Sequence, residues 1–335
     1  MAETRKRRDT PKEIPATEPI RGASVETNSP EHALPPEPKA SVILIAHNQS
    51  NALRRALQAL FASPAASQFE VIVIDSASDD DPRTVGEAFP QATFLYLPDD
   101  FGATKAMNIA ARSAKSAALF FVAPEIEISA EAVLQLAKHL EDNSGDTAAV
   151  CPLLTKPDGG VAGQALPLPS RESLAQACAG EATTYVEVDL QQESVVIACM
   201  DRRALMVRKQ FVAGMNYFDE RFGEYWADAD LALTIRRAQR KIRLYPAIKA
   251  VWHAPFAESS VSSSVSNSVS NSVSNMDALH RADCISGAAV LLGKYDGAMA
   301  SFTFRLTRGL NALLHADFRL FAALLSGEKI GSHAK

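Results

Sequence analysis

Residues 41–74 read S-V-I-L-I-A-H-N-Q-S-N-A-L-R-R-A-L-Q-A-L-F-A-S-P-A-A-S-Q-F-E-V-I-V-I, and two periodicities alternate within them. Ser41 to Ala46 and Phe69 to Ile74 are short β-branched runs of the kind that form strands buried on both faces. Between them Leu53, Ala56, Leu57, Leu60 and Phe61 recur at helical spacing and make one apolar helix face. Together they form a β-α-β unit. The alternation continues with a short helix near Arg83 to Phe89, a strand Thr93 to Leu97 and a helix Ala103 to Ala114. A strand Ala117 to Val122, a helix Ala130 to Leu140 and a strand Ala148 to Cys151 follow. This order predicts an α/β fold, a mainly parallel sheet with helices on both faces. Such sheets bind ligands at the carboxyl ends of their strands, so chemistry is expected there.

Outside this region the composition changes twice. Residues 1–39 combine a basic run with seven prolines and almost no large apolar residues, which predicts a disordered tail. Residues 258–275 repeat Ser, Val and Asn and predict a flexible linker between a domain at 40–257 and a C-terminal region at 276–335. That last region reads as helical, with Phe302, Leu306, Leu310, Leu313 and Leu314 in one stripe. The stripe suits a helix packed on the domain or on a second copy in a homodimer. With Arg305 and Arg308 nearby, it also suits peripheral contact with a membrane surface.

The 335 residues carry a net charge of −5 and are 47 % hydrophobic, which describes a soluble globular chain. Without a concentrated basic face, nucleic acid is not an expected partner. Apolar runs such as Ala117 to Val122 and Ala288 to Leu292 are too short to span a bilayer. No apolar segment follows the basic residues Arg5 to Arg8, so a secretory signal is not expected and a cytoplasmic address is. Cys151, Cys178, Cys199 and Cys284 stand far apart in mostly apolar surroundings and read as buried thiols. No strand is followed by G-x-G-x-x-G. Gly287 to Lys294 (G-A-A-V-L-L-G-K) imitates a P-loop, but with five residues between its glycines and Tyr295 where Ser or Thr belongs.

Polar residues gather at the strand ends. His47-Asn48 follows the first strand, Asp75-Ser76-Ala77-Ser78-Asp79 the second, and Ala123-Pro124-Glu125-Ile126-Glu127 the fourth. Each has an ordinary alternative: Asp75 or Ser78 as a helix cap, Glu125 as a solvated turn residue. Asp228 and Asp230 begin a helix that Arg236 and Arg237 finish, an order the helix dipole favours by itself. His253, between Trp252 and Ala254, is equally a core histidine with a satisfied partner.

Six ordered blocks carry a more specific reading: S-V-I-L-I-A-H-N, E-V-I-V-I-D-S-A-S-D-D-D, F-G-A-T-K-A-M-N-I-A-A, F-F-V-A-P-E-I-E, N-Y-F-D-E-R-F with Y-W-A-D-A-D-L-A-L-T-I-R-R-A, and V-W-H. Between Ser41 and His253 the chain resembles a family 2 glycosyltransferase of the GT-A fold, nearest the rhamnosyltransferase-like branch. The resemblance implies an inverting enzyme that moves one sugar from a nucleoside diphosphate donor of UDP or TDP type to a saccharide or lipid-linked acceptor in bacterial surface polysaccharide synthesis. The Q-x-x-R-W signature of processive synthases is missing from Gln239 to Arg243, which favours single transfers. By the same resemblance Asp228 is the catalytic base, and Asp75, Asn48, Ser76, Asn108 and Glu125 bind the nucleotide sugar. Glu125 and His253 hold Mg²⁺ or Mn²⁺.

The chain departs from the family pattern at three places. The Asp-x-Asp motif is Ala123-Pro124-Glu125, the Glu of Glu-Asp is Ala227, and Asp201-Arg202 stands where a small Ser-Gly stretch lines the acceptor pocket. Those changes keep open a second reading, a catalytically impaired domain that binds nucleotide sugar or saccharide as a subunit.

Overall fold

The structure is a computed structural model and describes residues 37–181, 184–253 and 267–327. The tail expected at 1–39 lies outside them except for its last three residues. Strands β1 (Ser41–Ala46), β2 (Glu70–Ser76), β3 (Thr93–Leu97) and β4 (Ala118–Val122) pair in parallel in the spatial order β3-β2-β1-β4. Helices α1 (Ser50–Leu60), α2 (Pro82–Ala88) and α3 (Ala103–Ser113) connect them. Alternation along β1 explains the two-sided cover. Val42 and Leu44 face α1 and α4 (Ala130–Asp142), in a core with Leu53, Leu57, Val133 and Leu136. Ile43 faces the other way, toward Ala106 and Ala110 of α3.

The second half of the sheet is not a continuation of the parallel run. After the short β5 (Ile126–Glu127) come β6 (Thr147–Thr155), β7 (Val161–Gly163), β8 (Ala165–Leu166), helix α5 (Arg171–Cys178), β9 (Val195–Ile197), β10 (Cys199–Met200) and β11 (Ala204–Arg208). β11 lies antiparallel between β4 and β6, and β12 (Lys241–Trp252) runs parallel to β6 with β5 at its edge. The sheet is therefore mixed. Helices α6 (Lys209–Gly214) and α7 (Ala227–Arg237) lie between β11 and β12. This is the GT-A arrangement, with C-terminal helices added.

Those helices are α8 (Asn267–Tyr295), α9 (Ala298–Leu314) and α10 (Phe318–Ser326). Two expectations change here. The linker expected at 258–275 is helical backbone from Asn267, because extending an established helix costs far less than nucleating one; residues 258–266 lie outside the described residues. The stripe of α9 is not its packing face: Phe304 and Ala312 are buried, and Phe302, Leu306, Leu310, Leu313 and Leu314 are exposed. The P-loop-like run Gly287 to Lys294 lies inside α8. All four cysteines are buried, with Cys178 Sγ of α5 3.0 Å from Cys284 Sγ of α8. No helix among the described residues is long and apolar enough to cross a membrane.

One close approach ties the C-terminal helices to the sheet edge. Gly223 has φ +63° and lies against Gly102, which has φ +79°; the Gly223 carbonyl accepts from the Thr104 amide at 3.0 Å. On its other side is the buried carboxylate of Asp283 from α8, which accepts from the Glu224 amide at 2.8 Å. A β-carbon at 223 would enter that carboxylate well inside contact distance and would also require a left-handed backbone. Gly223→Ala is expected to cost about 2 kcal/mol, seen as a lowered denaturation midpoint in urea. An unchanged midpoint would mean the loop relaxes freely.

Candidate active site

The carboxyl edge of the parallel strands collects the polar residues. His47 Nδ1 lies 2.6 Å from the Ser76 carbonyl oxygen, which binds the loop after β1 to the loop after β2. Asn48 tightens the same junction: its amide N–H donates to Ser78 Oγ and its Oδ1 accepts from the Asp79 amide. Ser50 Oγ donates to Asp80 at 2.9 Å. Asn48, Ala77 and Asp81 all have positive φ, so this double loop is held in a backbone shape that its side chains must maintain.

Two groups in that junction are left over. Asp75 and Ser76 are buried, and Asp75 Oδ1 and Ser76 Oγ have no hydrogen-bond partner among the described residues. Orphaned polar atoms of this kind are expensive unless a ligand completes them. The carboxylate oxygen accepts and the hydroxyl both donates and accepts, which matches the N–H and O–H groups of a nucleoside.

Asn48 and Asn108, both expected to touch the nucleotide, are engaged within the protein. Asn108 is buried; its Nδ2 donates to the Phe218 carbonyl at 2.9 Å and to Glu220, and its Oδ1 accepts from the Phe218 amide. It clamps α3 to the segment before α7. The sequence block showed an Asn on a helix but not the loop that saturates it.

At the end of β4 the chain turns through Ala123-Pro124-Glu125, with the Ala123 amide donating to the Arg203 carbonyl at 2.8 Å. Glu125 Oε2 lies 3.4 Å from Gln49 Nε2, and the Glu125 carbonyl accepts from the His253 amide. His253 Nε2 itself lies 2.8 Å from Glu127 Oε2. The sequence reading missed Glu127. Its signal was the alternation E-I-E: Ile126 is buried, so Glu125 and Glu127 fall on the opposite face together.

These residues fit a divalent ion only as an incomplete cage. No three His, Cys, Asp or Glu side chains among the described residues converge to hold a metal. Mg²⁺ and Mn²⁺ at phosphate sites need only one or two protein oxygens, the rest coming from phosphate and water, and Glu125, Glu127 and the imidazole of His253 are suitable donors.

Opposite lies α7. Asp228 is in its first turn and half-buried, with its carboxylate beside the backbone N–H groups of Asp228 and Ala229. Burial pushes its carboxyl above the ordinary range; Arg202 pulls it back and Asp201 pushes it further up. Arg202 also donates to Glu224 Oε1 at 3.0 Å. Asp201 accepts from Tyr185 Oη at 2.7 Å and pairs with Arg203 at 3.0 Å, while the guanidinium of Arg203 lies 4.0 Å from the centre of the Trp252 ring. The replaced stretch Asp201-Arg202 thus supplies both the neighbouring acid and the counter-charge of Asp228. Asp230 takes no part: it is buried against Lys294 and Tyr295.

Residues 41–186 match the family model described as glycosyl transferase family 2. Asp228 and His253 lie beyond the matched stretch. None of the curated proteins matches the sequence. Among solved structures, the chain is similar to mannosyltransferase PcManGT from Pyrobaculum calidifontis in complex with GDP-Man and Mn²⁺, at 16 % identity over 86 % of this chain and 75 % of that one, TM-score 0.48. It is similar to S. aureus TarS 1-349 in complex with UDP-GlcNAc, at 16 % identity over 76 % and 73 %, TM-score 0.47. It is also similar to GalNAc-T7 with UDP, GalNAc and Mn²⁺, at 13 % identity over 64 % of this chain and only 44 % of that one, TM-score 0.46. The glycosyl transferase family 2 match thus spans residues 41–186, and the mixed sheet whose carboxyl edge gathers these groups has the GT-A arrangement.

Proposed function

We propose that the chain is an inverting, non-processive glycosyltransferase that moves one sugar from a nucleoside diphosphate donor to a hydroxyl of a saccharide or lipid-linked acceptor, in a role such as bacterial surface polysaccharide synthesis. The observation that carries the proposal is the pairing of functions on one sheet edge. Asp75 and Ser76 offer buried, unpartnered polar atoms on one side, and Asp228 offers a carboxylate made more basic by burial on the other.

In this reading Asp75 and Ser76 bind the nucleoside, and Glu125 lies beside the sugar diphosphate. Asp228 accepts the proton of the acceptor hydroxyl as that oxygen attacks the anomeric carbon, and the diphosphate leaves from the opposite face. The raised basicity of Asp228 helps here, since a carboxylate of ordinary pKa is a poor base toward an alcohol. Arg202 favours the ionised form of that carboxylate against the burial that opposes it. A divalent ion held by Glu125 and His253, with Glu127 as the further donor, would neutralise charge on the departing diphosphate when bound. Donors in complexes of the similar solved structures include UDP-GlcNAc and GDP-Man, so uridine and guanosine diphosphates are the first to test.

The contact between His253 and Glu127 also favours the second reading, a domain that binds nucleotide but does not turn over, because it occupies Nε2 and leaves only Nδ1 of His253 for a metal. A thermal-shift panel of UDP, TDP, GDP and CDP with Mn²⁺ or EDTA separates the two. One diphosphate at a hundred times its Kd is expected to stabilise by about 2.7 kcal/mol with Mn²⁺ and much less with EDTA. Glu125→Ala should erase the difference between the two conditions. Stabilisation without any metal effect, together with no transfer, would favour the binding subunit; no shift with any of the four would remove both.

A further inference from the structure

Eight of the twelve large apolar side chains exposed among the described residues lie between Met299 and Leu325, on the α9–α10 hairpin. Leu314 is 80 % exposed, Met299 73 % and Leu325 72 %. On α9 the residues Met299, Phe302, Leu306, Leu310, Leu313 and Leu314 are spaced by three, four, four, three and one, so they share about a third of the helix circumference. The opposite side, through Phe304 and Ala312, is already buried. The outward stripe is therefore surplus to folding. A contiguous apolar surface of this kind marks an interaction site.

Charge decides what it fits. Although the whole chain is acidic, the described hairpin carries Arg305, Arg308 and Arg319 against one acid, Asp317. That acid is engaged by Arg281 at 2.7 Å and caps α10. A fourth arginine, Arg171 of α5, donates to Thr303 Oγ1 at 3.3 Å on the border of the stripe. Isologous docking of a second copy would set this cationic hairpin against itself, with no carboxylate of the hairpin left to answer it. An apolar stripe bordered by arginines suits instead a surface that is apolar beneath and anionic above.

We propose that the α9–α10 hairpin is a peripheral docking surface for an anionic phospholipid bilayer, with α9 lying in the plane of the interface and its arginines at the level of the phosphates. The proposal does not depend on the transfer reading, because binding is measured without substrate.

The test is flotation of the full chain with phosphatidylcholine vesicles, alone or with about 30 % phosphatidylglycerol, alongside sedimentation without lipid. The expected result is a monomer that binds the anionic vesicles far better than the zwitterionic ones, and less well as salt is raised. Leu306→Gln with Leu310→Gln changes only exposed side chains, so the melting temperature should hold while vesicle binding falls about tenfold or more. Arg305→Glu should weaken binding by at least about fivefold. Absence of binding to anionic vesicles would overturn the proposal. So would a dimer in solution that the paired leucine substitutions dissociate, which would assign the stripe to a second copy.

Discussion

Asp228→Asn is expected to lower turnover about 10³-fold while leaving nucleoside diphosphate affinity within a few fold, because a general base contributes on that order and acts only in the transition state. The substitution keeps the shape of a half-buried polar side chain and removes the negative charge together with the basic electron pair. Stability distinguishes this role from an ordinary one at a helix start. If Asp228 served mainly the dipole of α7, its loss would destabilise by about 0.3–1 kcal/mol. Its carboxyl is instead raised by burial, so ionisation is penalised in the folded state relative to the unfolded chain. The stability that such a group contributes is fully present below the unfolded carboxylate value of about 3.9, and is lost as pH rises through the folded value. At neutral pH the Asn variant should therefore melt no lower than the parent, and the gap should close on acidification toward pH 4. The acid limb of the parent's rate profile should lie above the range of a free carboxylate. Retained turnover in Asp228→Asn would remove Asp228 from the chemistry.

The parallel half of the fold was legible because two-residue and 3.6-residue periods alternate without interruption from Ser41 to Val122, and each element buries the face its pattern marks. The antiparallel half was less so. β11 is five residues, Ala-Leu-Met-Val-Arg, and its insertion between β4 and β6 depends on partners far apart in the chain, which no local pattern carries. The site divides in the same way. Asp75 and Ser76 end a recognisable strand at the carboxyl edge of the sheet, whereas Asn108 was visible as a residue but not as a clamp on Phe218. Glu127 was hidden by its neighbour Glu125, though the strand alternation around Ile126 pointed to it. The α9 stripe reads either as a packing face or as a membrane-surface helix, because amphipathicity marks an interface without saying which partner fills it.

Lys294→Met is expected to destabilise the protein by about 3 kcal/mol, a fall in Tm of about 6 °C or more. Lys294 donates at 2.8 Å to Asp230, which is 1 % exposed in the first turn of α7; Tyr295 Oη donates at 2.8 Å to the other oxygen and lies 3.1 Å from Thr234 Oγ1. Removing the lysine leaves a buried carboxylate without its cation, and breaking such a pair costs more than the pair itself contributes. Part of the lysine stem remains exposed, which is why the figure stays at the lower end of that range. Replacing both partners, Asp230→Leu with Lys294→Met, removes the stranded charge and should restore most of the loss, whereas Asp230→Leu alone leaves a lysine that can still reach water and falls between. The same experiment settles the P-loop imitation from the chemical side. A lysine that grips phosphate would weaken diphosphate binding when lost and leave Tm almost unchanged. A lysine that fastens α8 to α7 does the reverse, and it holds the turn that carries Asp228.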